Sequence, residues 1–588
     1  MKSKKLLATV LSAVITFSTV SAVSAAPIGK ESKSEPKTTT ISWEKSKQNP
    51  NKSTTDITEK KFNNSQEINK FFKANISKFG LQKGNLKNTK TVKDKKGNTH
   101  YHTIYQVEGI PVYYGRVVFT TDKNSSIDSI NGRIDTVFEN GNWQSKIKLS
   151  KEDAIKKAKD NIKDEKSNVK NNNLYLYNFE GKPYVVYLVD LITNNGNWNV
   201  FVNAEDGSIV NKFNNTPTLI DTKGKKLPNA KEIKDEAEKT NKTNNIIDVQ
   251  GETVKGKGKT SLNGIVDIDL TYKDGKYYLK DSNKNIYLYD LYNKVGEYDL
   301  INYYDDYFPN HKQQLMSKAN LISSNDNSLT NNNETNSVDA YVNLSKSYDY
   351  YKNKLNRNSM DNNGMNVNGF VHVDRNYNNA FWFDEFDGMF FGDGDGYRFS
   401  ALAKSLDVVG HELSHGVTSK ESNLAYHVES GALNEAFSDI MGVAIDGKNF
   451  EIGEDCWTPR IPGDTMRDMK DPSRGDQPAH MKDFKDMPDD EDHDNGGVHT
   501  NSGIINHAAY LIADGIEKTG AINSKDIMGK IFYDANCYQW DETTNFAKCR
   551  NDIIKVTKNL YGENSNYVKI VENAFDKVGV YATPQLPL

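Results

Sequence analysis

Apolar residues change their spacing along this chain, and the changes divide it. Behind Lys2, Lys4 and Lys5 runs an apolar stretch from Leu6 to Val23, closed by the small residues Ser24, Ala25 and Ala26. That order makes residues 1–25 a secretory signal peptide. From 26 to about 60, Lys, Ser, Thr and Asn crowd out large apolar side chains, so a flexible leader is expected. Between about 60 and 215 the pattern tightens. Phe62 to Gly80 carries an amphipathic helical period, Tyr101 to Phe119 alternates like paired strands round Gly109-Ile110-Pro111-Val112, and Lys151 to Ile162 is helical behind a Ser150 cap. Asn173 to Phe213 reads as strands, with a turn at Glu205-Asp206-Gly207. Two α+β modules are expected here. A polar linker from about 222 to 247 offers a cleavage zone, with the mature chain starting near Asn245 to Val249.

Beyond the linker, Thr253 to about Phe399 is rich in Tyr, Val and Ile between glycine turns. This predicts a β-rich lobe over 248–400, with one helix from near Asp339 to Leu355. Leu402 to Val580 has helical spacing, so 401–588 is expected to form a mainly helical lobe, with a cleft between the two. The fold class is α+β. A chain of 588 residues also calls for more than one domain. After the signal no run reaches the roughly 18 apolar residues of a membrane span, so an exported, soluble chain is expected. The net charge of −4 hides a division, because the part before Val249 is basic and the part after it acidic. Complementary fields would draw the two together, and the basic part carries no recognisable nucleic-acid module. Cys537 and Cys549 are close enough in sequence to pair, and export permits disulfides. The spacing alone leaves that pairing open, with Cys456 as the odd thiol.

Candidate chemistry concentrates in His411-Glu412-Leu413-Ser414-His415. On a helix, histidines four apart project from one face, one turn above the other. Two neutral imidazoles so placed can share a tetrahedral Zn²⁺. Glu412 lies about 100° round the axis, near the metal but better placed to take a proton than to ligate. A hydrolytic zinc site needs a third ligand and an open fourth position. Glu435, on a second helical pattern from Glu429 to Asp439, offers the ligand. Asp439, one turn further, can accept the other N–H of a ligand histidine. Taken alone, the pentapeptide also suits a surface helix with two exposed histidines, and His499 suits a loop beside a glycine turn.

These stretches fall in order with Asn378-Asn379-Ala380-Phe381-Trp382, Gly392-Asp393-Gly394-Asp395-Gly396 and Gly496-Gly497-Val498-His499-Thr500-Asn501-Ser502-Gly503. Together they resemble the thermolysin-like neutral metalloproteases over the C-terminal three-fifths of the chain; thermolysin itself is a standard example of a His₂Glu zinc site. The metzincin pattern would need glycine and histidine where Thr418 and Glu421 stand.

The resemblance implies a secreted zinc endopeptidase made as a zymogen, in which a two-lobed catalytic domain follows a prosegment that inhibits it and aids folding. Protein and peptide substrates are the partners implied, and a monomer the working form. It implies His411, His415 and Glu435 as zinc ligands, and Glu412 as the base that activates the zinc-bound water. His499 and Tyr426 would stabilise the oxyanion, with Asp494 orienting His499. Asn434 and Asp439 would hold the zinc histidines, and Arg467 would bind a substrate carbonyl. Asn379 and Ala380 would pair with the extended peptide. Phe399, Leu402, Val408, Ile452 and Met466 would line an apolar pocket for the side chain just after the cut bond, favouring large apolar residues there. Cys456 stands where the family has an aliphatic residue. The family's calcium site would draw on Asp407, Asp446, Asn449, Glu451 and Glu454. Asn449 replaces a carboxylate, so one strong calcium is expected there, with another at Trp457, Thr458, Ile461 and Asp464. The Gly392–Gly396 stretch lacks an EF-hand's last glutamate and reads as a tight turn. A catalytically weak binding scaffold and an exopeptidase are the other readings. Intact Glu412, Glu435 and His499 speak against the first, and no charged motif closing one end of a cleft supports the second.

Overall fold

The computed structural model describes residues 39–44, 60–163, 167–179, 181–193, 196–215, 249–307, 310–490 and 493–581. The expected signal peptide, most of the leader and the 222–247 linker lie outside the described residues. The leader needs one correction. Thr39–Glu44 is a strand, paired antiparallel with Ile127–Ile134. Ile41 and Trp43 alternate with polar residues, a strand signal that the polar composition around them masks.

Two α+β modules follow. Helix α1 (Ser65–Ala74) is capped by the Asn64 side chain, which accepts from the Glu67 amide. Its apolar residues Ile68, Phe71 and Phe72 share one face and are all buried. They lie over the strands Asn85–Lys93, Thr99–Val107, Ile110–Thr121 and Ile127–Ile134. The expected hairpin turns at Glu108 and Gly109, with φ of 55° and 80°, as a two-residue type I′ turn requires. In the second module α2 (Lys151–Ile162) starts at the Ser150 cap and packs on Asn168–Phe179, Lys182–Thr193, Gly196–Asn203 and Ile209–Asn214. The parallel contact Val112↔Leu176 joins both modules into one nine-stranded sheet. An aromatic cluster of Tyr113, Tyr177, Phe201 and Phe213 belongs to this sheet.

The catalytic part begins with a five-stranded sheet and a six-stranded mixed sheet whose edge strand is Ala380–Phe383. Helices α3 (Glu297–Tyr307), α4 (His311–Lys318) and α5 (Thr335–Leu355) accompany them, and α5 packs on both sheets. The helical lobe holds α6 (Leu406–Lys420), α7 (Val428–Asp446), α8 (Asp494–Glu517), α9 (Ser524–Tyr538), α10 (Phe546–Tyr561) and α11 (Asn566–Lys577). One apolar core runs through both lobes, from Leu344 and Phe391 through Val408 and Phe437 to Phe575. No helix among the described residues is long and apolar enough to cross a membrane. All three cysteines are buried free thiols, so the pairing of Cys537 with Cys549 is not formed. Cys537 Sγ instead lies 3.7 Å from the buried Arg357 guanidinium.

Candidate active site

The two helices that carry His411, His415 and Glu435 are buried on every face. Asp407 to Thr418 of α6 and Val428 to Ala444 of α7 are without exception out of solvent. Such helices are expected to be apolar all round, so each acid and histidine in them needs a local reason. Their close approach rests on glycine. A Cβ on Gly442 would lie 2.6 Å from the Asp407 carbonyl oxygen, and one on Gly410 would lie 3.3 Å from Gly442 Cα. The backbones therefore cross in near contact, which brings Glu435 to the two histidines.

His411 Nδ1 lies 2.8 Å from Asp439 Oδ1. The carboxylate can only accept, so that nitrogen carries the proton. His415 Nδ1 lies 2.9 Å from Asn434 Oδ1, and the Asn434 amide nitrogen donates to the Leu424 carbonyl. His415 is therefore protonated at Nδ1 too. Both Nε2 lone pairs are left, and they face each other at 2.9 Å. Glu435 lies 3.5 Å from His411 Nε2 and 3.3 Å from His415 Nε2. Tetrahedral zinc bonds of about 2.0–2.1 Å set ligand atoms about 3.3 Å apart, so this triangle fits the ion. Without a cation, two lone pairs at that distance repel. Among the described residues these three are the one such group whose ligand atoms all lie within 4.8 Å of one another.

Glu412 is fully buried, and neither carboxylate oxygen has a hydrogen-bond partner. Burial raises its pKa to about 8, against the charge of His415. Burial also pushes Glu435 upward, but the charges of His499 and His415 prevail and hold it at about 2. His411 is lowered to about 4 by burial. Asp439 is held well below the usual carboxylate range, because the Arg467 guanidinium and His411 outweigh its burial.

His499 follows a left-handed turn: Asn495, Gly496 and Gly497 have φ of 47°, 81° and 81° inside α8. The turn lets Asp494 reach forward, so that it accepts from the His499 amide at 2.9 Å and grips His499 Nδ1. His499 Nε2 is 3.1 Å from the Tyr426 hydroxyl, which also donates to Glu435. A Cβ on Gly496 would meet Val428 at 2.8 Å. Gly496→Ala is expected to lose about 1–2 kcal/mol of stability in thermal unfolding, the cost of a left-handed residue with a Cβ plus the contact.

The remaining expected residues fall at several places. Arg467 Nε and Nη2 hold both oxygens of Asp439, at 2.8 and 2.7 Å. Phe399, Leu402, Val408, Ile452 and Met466 are buried in one core with Cys456. Ala380 opens the outer edge strand, and the Asn379 amide nitrogen is buried without a hydrogen-bond partner. Of the expected calcium set, burial raises the proton affinity of Asp407 and Glu454, with Asp446 adding to the first and Asp407 to the second. Glu451 differs: it is ion-paired with Arg474. Asn449 donates to Glu454 at 2.9 Å. In the other expected calcium loop Thr458 donates to Asp464 at 2.7 Å, so that pair is already satisfied. Sequence reasoning missed Asn506, which donates to Asp439 at 2.8 Å from two turns along α8 beyond His499. It also missed Phe213 and Asn215 of the prosegment, which touch His427 and Tyr426; no local motif signals a contact made across 211 residues of chain.

A buried two-histidine, one-glutamate triangle beside a partnerless acid defines a zinc hydrolase centre. Residues 255–419 match the thermolysin metallopeptidase catalytic domain, and 422–580 match its alpha-helical domain. Residues 84–134 match the fungalysin/thermolysin propeptide motif, and 148–213 the peptidase propeptide and YPEB domain. Bacillolysin of Bacillus cereus is 35% identical over 490 residues, 80% of this chain and 81% of that protein. Thermolysin of Alicyclobacillus acidocaldarius subsp. acidocaldarius is 33% identical over 513 residues, 83% of this chain and 84% of that protein. A solved precursor of protealysin, a metalloproteinase from Serratia proteamaculans, is 31% identical, covers 50% of this chain and 87% of its own, and has a TM-score of 0.41. The chain belongs to the thermolysin family and is a zinc metalloendopeptidase that carries a propeptide.

Proposed function

We propose that this peptidase is exported as a zymogen, cuts before large apolar residues, and is blocked in cis by its prosegment until processed at the linker before Val249. The observation that carries the catalytic assignment is the pair of imidazole lone pairs 2.9 Å apart beside the partnerless Glu412. Zinc on His411, His415 and Glu435 would supply a Lewis acid that polarises the scissile carbonyl and lowers the pKa of the attacking water to about 7. Glu412, buried and without a hydrogen-bond partner, would take a proton from the attacking water and return it to the departing amine. His499, with Nδ1 fixed by Asp494, and the Tyr426 hydroxyl donate to the developing oxyanion. Asn379 and the Ala380 edge pair with the substrate backbone, and Arg467, oriented by Asp439, binds its carbonyl. Peptide libraries digested by the processed enzyme test the preference: cuts spread evenly over all residue types would overturn the apolar pocket.

The lysines and arginines of the prosegment support inhibition in cis. Lys90 pairs with Glu421 at 2.8 Å, Lys170 with Glu385 at 2.6 Å, and Arg116 with Glu542. Arg133, itself buried, donates to the Thr543 carbonyl at 2.7 Å. A 270 Å³ cavity runs from the prosegment's Asn215 past Tyr426 to His415 and Trp382.

One structural calcium would sit at Asp407, Asp446 and Glu454. Burial raises Asp407 to about 6 and Glu454 to about 8, and each is pushed further by a neighbouring carboxylate. Glu454 also keeps one buried oxygen without a hydrogen-bond partner. The sign is that of acids whose folded pKa is raised: the folded state holds the extra protons. Metal-free stability is therefore expected to fall as pH rises from about 4 towards 8. Calcium, which binds the ionised form, should remove the part of that fall that Asp407 and Glu454 contribute. Thermal unfolding across this range, with chelator and with calcium, measures it; a calcium-independent profile would overturn the site.

A further inference from the structure

The last described strand of the prosegment ends against the wall of the zinc site. Phe213 lies flat on the His427 imidazole, with ring centroids 3.8 Å apart and planes 12° apart. Two residues on, Asn215 Oδ1 accepts a hydrogen bond from the Tyr426 amide at 2.6 Å. Tyr426 is the residue whose hydroxyl reaches Glu435 and His499. Both contacts thus fall on consecutive residues at the mouth of α7.

The His427 ring is fixed for this purpose. Its Nδ1 lies 3.0 Å from Asp489, while its Nε2 is buried without a hydrogen-bond partner. The neighbouring Val428 has φ of 46°, a left-handed conformation that a β-branched residue keeps only when its surroundings impose it. His427 is only 2% exposed while Phe213 covers it. A rigid aromatic face next in sequence to Tyr426, which lines the cavity reaching His415, has with the Tyr426 N–H the parts of a side-chain recognition site: stacking area for a ring and a donor that sets register.

We propose that His427 and the Tyr426 amide form an aromatic subsite of the cleft, which takes an aromatic side chain followed two residues later by a side-chain carbonyl, and that Phe213-Asn214-Asn215 fills it in the precursor. This rests on the reading of the prosegment as an inhibitor in cis, and it names the contact through which the inhibition acts.

The full-length precursor, purified with chelator and then given zinc, is followed for cleavage of a short quenched peptide alongside its own processing. The wild type shows a lag. Phe213→Ala shortens it about tenfold or more, the loss of a buried stacked ring. Asn215→Ala shortens it by about threefold or more, while Asn215→Asp keeps the acceptor oxygen and the lag. Phe201→Leu loosens the same aromatic cluster and makes no ring contact with His427; it leaves the lag within about twofold. A free peptide spanning Ile209 to Asn215 competes with substrate on the processed enzyme, and its Phe213→Ala form competes about tenfold less well. If Phe213→Ala leaves the lag unchanged, if Phe201→Leu shortens it equally, or if both peptides compete alike, the subsite is overturned and the inhibitory reading survives. A wild type with no lag overturns both.

Discussion

Replacing Glu412 with glutamine is expected to lower kcat/KM for peptide hydrolysis by on the order of 10³–10⁴, near the upper range of general acid–base catalysis. The reason is chemical. Glutamine keeps the shape of the side chain but cannot take a proton from water. The proposed zinc ligands His411, His415 and Glu435 are untouched, so metal content should stay stoichiometric. Stability should hold as well. The buried Glu412 has no hydrogen-bond partner and a pKa raised to about 8, so in the metal-free chain near pH 7 it is already mostly protonated. A neutral amide then brings little new desolvation cost. The full-length variant should also remain uncut when expressed with no other protease present. Initial rates on a peptide, metal analysis of the same sample and a gel of the precursor check the three parts. Digestion at the wild-type rate would remove Glu412 from the mechanism. Loss of zinc with loss of activity would make it a ligand instead of a base.

The local chemistry of the centre was legible in sequence because helical geometry dictates it. Four-residue spacing puts His411 above His415 and Glu435 above Asp439, and a buried helix leaves such groups no solvent to face. Secondary structure followed where pattern and caps agreed, as at Ser150 and the Glu108-Gly109 turn. Thr39–Glu44 did not, because a strand at a sheet edge needs only two alternating apolar residues inside a polar stretch. What stayed hidden depends on distance in the chain. Asn506 reaches Asp439 only once α8 lies across α7. Phe213 meets His427 only when the prosegment docks. Arg474 meets Glu451 only because the Glu451–Ile452 strand pairs with Arg467–Asp468, just ahead of the short helix that carries Arg474. Family resemblance paired Asp494 with His499 and Asp439 with a zinc histidine, but it did not pair Arg467 with Asp439 or Arg474 with Glu451.

Asp439 is where catalysis and folding meet, and removing its charge is expected to damage both. Its two oxygens accept from His411 Nδ1, from Arg467 Nε and Nη2, and from Asn506, all at 2.7–2.8 Å in a site with no solvent. Asp439→Asn replaces an acceptor with a donor that must face the guanidinium, and takes the carboxylate charge away from the buried Arg467. Breaking a buried pair from one side costs about 3–5 kcal/mol. His411 also loses the acceptor that fixes its tautomer, and zinc affinity should fall about 10–100-fold. The acid limb adds a sign. Asp439 is held below its ordinary pKa when folded, so its contribution is present above the unfolded value of about 3.9 and is lost as pH falls further. The variant should therefore show a flatter stability profile below about pH 4 as well as a lower Tm. Adding Arg467→Met to Asp439→Asn should recover much of the stability, since both charges of the buried pair are then gone, yet recover none of the zinc affinity, since His411 still lacks its carboxylate. Thermal unfolding of chelated samples and zinc competition against a chelator separate the two effects. A single variant that keeps both Tm and zinc affinity would show that Asp439 neither pairs with Arg467 nor orients His411.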